Sequence, residues 1–102
     1  MRRAEQGDIL KIAGLAHPIL VVSTNFFNES GRIIACPIVK DAVKGPLHIP
    51  LAEGPAEGFV LCEQVKYLDL SIRRFSKLGQ ANYYEIMDIT DAIMGIFDYQ
   101  QI

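Results

Sequence analysis

Apolar residues fall in short runs along the first three quarters of the chain and at helical spacing in the last quarter. The runs 8–13, 18–23, 32–40, 45–51 and 58–69 read as five strands, since each is short, rich in apolar residues and bounded by turn-forming residues. Ile33, Ile34, Val39, Ile49, Val60 and Val65 supply β-branched side chains that fit a pleated surface, and the polar stretches 25–31 and 52–57 supply the breaks. Five short strands suit a small barrel or a strongly curved sheet, because closing a sheet removes its unpaired edges.

Beyond Gly79 the period changes. Tyr83, Ile86, Ile89 or Thr90, Ile93 and Phe97 recur every three or four residues, while Glu85, Asp88 and Asp91 fall mostly on the other side. That pattern predicts an amphipathic helix packed on the sheet. Asn82 is placed to cap it, with Glu85 three residues on to complete a capping box. Met87 and Met94 are assigned to the core side, where Met fills gaps, in preference to a partner surface.

Composition narrows the class. The chain has 102 residues, 50% of them hydrophobic and 22% charged, with a net charge of -2, which suits one domain over 1–102. No apolar stretch approaches the roughly 20 residues of a membrane span, and no basic start leads into an apolar signal segment, so a cytoplasmic protein without a membrane partner is expected. Cys36 and Cys62 lack CxxC spacing and sit among apolar neighbours, as buried free thiols do. The charge is uneven. All ten Lys and Arg precede Gln80 beside eight acids, whereas the last 23 residues hold four acids and no base. Arg2, Arg3, Lys66, Arg73, Arg74 and Lys77 therefore make a candidate phosphate-attracting face, against the plainer reading of a solvated surface.

The familiar chemical signatures are absent: no Ser-His-Asp pattern, P-loop, GxGxxG or HExxH occurs, and His17 and His48 lack an acid at ligand spacing. No metal and no cofactor are expected. The ionisable residues to weigh are His17, before Pro18 at a strand entrance, and Glu63, inside the last strand run. Alternation alone turns Glu63 to solvent, and only a buried, shifted carboxylate in that place would be a base by environment.

Six segments, in order, carry a family resemblance. Gly7-Asp8-Ile9 resembles an opening "GDI" strand, the stretch His17-Pro18-Ile19-Leu20-Val21-Val22-Ser23 an "RPxLVVS" strand, and Asn25-Phe26-Phe27-Asn28 an "NxxxN"-type turn. The strand from Arg32 to Val39 resembles one ending "APIT", His48-Ile49-Pro50-Leu51 resembles "HVPL", and the segment from Val60 to Asp69 resembles "VxCDQIRTID". Together they make the chain similar to the MazF/PemK (Kid) family of toxin-antitoxin ribonucleases. The resemblance implies a mainly β, SH3-like small barrel with a C-terminal helix, a homodimer, and metal-independent endoribonuclease (mRNA interferase) cleavage of single-stranded RNA. It also implies a cognate antitoxin, with DNA reached only through the antitoxin complex.

Where the chemistry is done, the chain departs from the family. The family's catalytic arginine falls on His17 and its catalytic threonine on Val39, so a permanent forked cation becomes an imidazole and a hydroxyl is lost. The connection between the first two strands shortens to about residues 13–16. Glu63 stands at the aspartate of "CDQ", a carboxylate that is the base in some members, and Lys66 keeps the charge of the arginine in "QIR". His17 and Glu63 are thus expected to form the acid-base couple, with Lys66, Arg73, Arg74 and Lys77 steering phosphate. The alternatives are a degenerate fold that binds nucleic acid, antitoxin or protein without cleaving, and a protein poison like the gyrase inhibitor CcdB, which shares the barrel. The ending from Gly95 to Ile102 lacks the Trp-Gly-Ile tail of that activity.

Overall fold

The computed structural model describes residues 3–51, 54 and 56–97. Along the chain the elements are β1 (Asp8–Ile12), β2 (Ile19–Val21), α1 (Asn25–Asn28), β3 (Arg32–Val39), β4 (His48–Leu51), β5 (Gly58–Leu61), β6 (Lys66–Asp69), β7 (Phe75–Gln80) and α2 (Tyr83–Ile96). All pairings are antiparallel, in the order β4-β5-β3-β2-β1-β7, with β6 also paired to β3.

β3 is the hinge of the architecture. One edge lies along β2, with Ile19 opposite Pro37 and Val21 opposite Ala35. Its other edge is shared: the first half, from Arg32 to Ala35, pairs with β6, and Ile38 and Val39 pair with β5. Ile38 N–H donates to the Pro18 carbonyl on the β2 side, so by alternation Pro37 turns its missing N–H to the shared edge. That is where no strand pairs, and the sheet bends from one partner to the next. Among the described residues β4 and β7 do not pair, so the bent sheet stays an unclosed small barrel.

Apolar side chains fill both faces. Ile9, Leu20, Cys36, Ile38, Val60 and Cys62 form one core under Ile86, Ile89 and Ile93 of α2, while Leu10, Ile12, Ile19, Val21, Ile33, Ala35 and Leu68 form a second on the opposite side. Consecutive residues go to opposite cores, which explains why β2 reads as an unbroken apolar run rather than an alternation. Fully buried side chains such as Leu20 and Val60 each contribute about 1.5–3 kcal/mol.

Several expectations are corrected. The run 58–69 is two strands, broken at residues 62–65 by a turn in which Gln64 N–H donates to the Leu61 carbonyl, so Glu63 lies in a turn and not in a strand. In the run 45–51 the strand starts only at His48, after a tight turn closed by His48 N–H on the Gly45 carbonyl. The stretch 25–31 contains the one-turn helix α1, capped by Thr24. β7 has no counterpart in the sequence reading; β1 recruits it, with Leu78 bulged out between Lys77, opposite Leu10, and Gly79, opposite Ile9. Asn82 and Glu85 form the expected capping box of α2. Its inner stripe is Ile86-Ile89-Ile93, however, and Met87, Met94, Tyr83 and Phe97 lie exposed outside that stripe. Arg2, residues 52, 53 and 55 of the second break, and the end of the chain from 98 to 102 lie outside the described residues.

Candidate active site at the β5 to β6 turn

The turn after β5 carries one residue inward and one outward. Cys62 is buried, and its N–H donates to the Leu47 carbonyl at 2.9 Å, pinning the turn to the start of β4. Glu63 is exposed beyond it. Register sets its neighbour: His48 stands opposite Leu61, the last residue of β5, and Glu63 follows in the adjoining turn. His48 Nε2–H donates to Glu63 Oε2 at 2.9 Å, and Nδ1–H donates to the Val43 carbonyl. A carbonyl and a carboxylate only accept, so this arrangement favours the doubly protonated ring. The Val43 carbonyl, then the Glu63 carboxylate, hold the His48 pKa above its usual value of 6.5. The hydrogen bond from His48 holds the Glu63 carboxyl below its usual 4.5. Val43, Lys44, Gly45, Pro46, Leu47, His48 and Glu63 line an open hollow of about 230 Å³.

The hydrogen-bond partner of Glu63 is His48, and the expected couple of His17 and Glu63 is not in direct contact. His17 is exposed before β2 on one edge of β3, and Glu63 lies off the other edge, so β3 runs between them. Val39, at the end of β3, is half-buried opposite Phe59. Gly58 packs against it with φ +142°, and a Cβ there would meet the Val39 carbonyl oxygen at 2.8 Å.

The cations divide. Lys66, exposed at the start of β6, is three residues from Glu63. Arg73 and Arg74, also exposed, lie past the far end of β6, where the Arg74 carbonyl accepts from Ala13 N–H and ties them to the connection leading to His17. Residues 67–72 lie between the two groups, and β6 alone carries the chain roughly 10 Å from Lys66 to Asp69. Lys77 is corrected: its ammonium stands 3.1 Å from Oδ1 of buried Asp8, whose charge it offsets, so it is no free phosphate anchor. Arg32 is 3.9 Å from Asp69. Among the described residues Lys66, Arg73 and Arg74 make no ion pair.

Burial pushes the Cys36 thiol up to about 12 and the Cys62 thiol to about 11, so both stay protonated and neither is a nucleophile. Among the described residues no three His, Cys, Asp or Glu side chains converge on a metal-sized site, and no helix is long and apolar enough to cross a membrane. Of two larger hollows, one of about 350 Å³ lies beside Arg3, Asn28 and Phe75 and one of about 600 Å³ beside the start of α2, and neither is lined by His17, Glu63, Lys66, Arg73 or Arg74.

A bent antiparallel sheet, one C-terminal helix laid on it, and an exposed rim of acid, imidazole and cations define a small, mainly β fold with its polar chemistry in loops. The profile of PemK-like, MazF-like toxins of type II toxin-antitoxin systems matches residues 6–97, and the chain belongs to that family. It is 31% identical over 94 residues to the endoribonuclease toxin ChpB of Escherichia coli (strain K12), covering 76% of this chain and 79% of that one. MazF in a MazE-MazF crystal structure from Deinococcus radiodurans shares the fold at a TM-score of 0.87 and 23% identity, covering 95% of this chain and 98% of that one. A mycobacterial endoribonuclease in complex with its cognate antitoxin does so at 0.80 and 18%, covering 92% and 94%.

Proposed function

We propose that this chain is the toxin of a type II toxin-antitoxin pair and cleaves single-stranded RNA as a cytoplasmic homodimer without a metal. The observation that carries this reading is the 31% identity to an endoribonuclease toxin, spread over most of both chains. Glu63, ionised at neutral pH, takes the proton of a 2′-hydroxyl; the 2′ oxygen bonds to phosphorus, and the bond from phosphorus to the 5′ oxygen breaks. His17 gives the departing 5′ oxygen its proton. In an in-line displacement base and acid work on opposite sides of the phosphate. Lys66, Arg73 and Arg74 attract the RNA backbone, and Lys77 has no part in it. The antitoxin covers this basic rim with an acidic segment and makes any DNA contact.

A second reading, a fold that binds without cleaving, is favoured by Val39, which offers no hydroxyl to a phosphate. Purified protein incubated in EDTA with end-labelled single-stranded RNA separates the two. Cuts at a fixed short sequence, leaving 2′,3′-cyclic phosphate, support the ribonuclease; intact RNA at high protein concentration sinks it. A gain of cleavage in the His17→Arg, Val39→Thr double variant of an inactive parent supports the second reading.

A further inference from the structure

We infer that His48 is a positioning residue of the reaction: it clamps one oxygen of Glu63 and leaves the other free to take the substrate proton. The inference rests on the ribonuclease reading. An exposed glutamate on a turn samples several rotamers, and a base must be held within hydrogen-bond reach of the proton it removes. Here Oε2 is held at 2.9 Å by a ring that is itself fixed through Nδ1 on the Val43 carbonyl. The same ring joins the 41–47 connection to the turn carrying Glu63, so loop and base move together.

Among the described residues, the segments next to the pair also carry Asp41, in the 41–47 connection, and Lys66, at the start of β6. Lys44 lines the hollow from the 41–47 connection, and the Cys36 and Cys62 thiols behind Glu63 remain neutral. The pair therefore sets the acidic limb of the pH profile, and the apparent pKa values of its two groups belong to it jointly. Below the acidic limb Glu63 is protonated and is no base. As pH rises through the raised pKa of His48, the ring loses a proton and one of its two contacts.

The test compares wild type, His48→Gln and His48→Ala by two measurements. Glutamine keeps an N–H for Glu63 without the charge, whereas alanine keeps neither. Carbon NMR of the Glu63 carboxyl, without RNA, is expected to show a titration midpoint rising from wild type to His48→Gln to His48→Ala. Single-turnover cleavage of end-labelled RNA across pH is expected to show the acidic limb moving up in the same order. The maximal rate falls roughly tenfold in His48→Ala and is partly restored in His48→Gln. An unchanged carboxyl midpoint in His48→Gln, or one profile and rate shared by all three proteins, overturns the positioning role alone. RNA left intact by the wild type at every pH overturns the ribonuclease reading, and with it the catalytic use of the pair.

Discussion

Lys77–Asp8 and His48–Glu63 both join neighbouring segments of the sheet, and their surroundings are opposite. In the first, the carboxylate is almost fully buried between β1 and β7, with Oδ2 also accepting from Glu5 N–H at 2.9 Å. In the second, both side chains reach solvent, at 21% and 39% exposure. A buried carboxylate that loses its counter-charge cannot recover its hydration, so its partner is fixed by stability. An exposed pair contributes little to folding because water screens it, and its groups remain available to a ligand. Similar chemistry thus serves structure at one place and stays open to a ligand at the other, and environment makes the difference.

The largest expected effect falls on the exposed pair. Glu63→Gln should slow RNA cleavage by about 100-fold or more, the usual share of a general base. Unfolding free energy from urea titration should stay within about 0.5 kcal/mol of wild type. A variant that cleaves at the wild-type rate breaks the comparison, since neither pair would then be chemical.

Next comes the buried pair. Lys77→Met keeps the apolar stem and removes the charge beside Asp8, and should cost about 2 kcal/mol in urea unfolding. That figure is set below the range for fully enclosed pairs because the Lys77 side chain is 32% exposed. An unchanged midpoint would mean that Asp8 is hydrated without its partner.

A third measurement separates free from committed cations. Lys66→Gln should weaken RNA binding and flatten the plot of log affinity against log salt by about 0.7, one phosphate contact on a single strand. Lys77→Met should leave that slope unchanged at a temperature where it is folded. Equal slopes for the two variants would show that Lys66 and Lys77 meet RNA alike.

How much of this was legible in the sequence follows the range of the interactions. The α2 start is written in residues three apart, Asn82 and Glu85, and its buried stripe in Ile86, Ile89 and Ile93, so local reading sufficed. β7 is mostly exposed and broken by the bulge at Leu78, and its strand character comes from β1, more than sixty residues away. The split of the 58–69 run depends on a proline in another strand. Likewise the partner of Glu63 follows from the β4 to β5 register, which sets His48 opposite Leu61. The short segments 48–51 and 58–61 carry that hairpin signal, and reading 58–69 as one strand hid it. His17 was located correctly before β2; what a single strand run could not show is that β3 separates it from Glu63.

The smallest expected effect is the pH dependence of stability carried by the exposed pair. Glu63 has a folded pKa below the ordinary 4.5, so its contribution is present above that value and is lost as pH falls through the lowered one. His48 has a folded pKa above the ordinary 6.5, so its contribution is full below 6.5 and is lost as pH rises through the raised one. The two overlap fully between about 4.5 and 6.5. The difference in thermal midpoint between wild type and His48→Gln should therefore peak in that window and fade on both sides, remaining small because both groups are solvated. A difference that is flat across the whole range would mean that the contact works as a neutral hydrogen bond. The Glu63 midpoint and the acidic limb of cleavage would then stay in place when the ring is replaced, against the positioning role of His48.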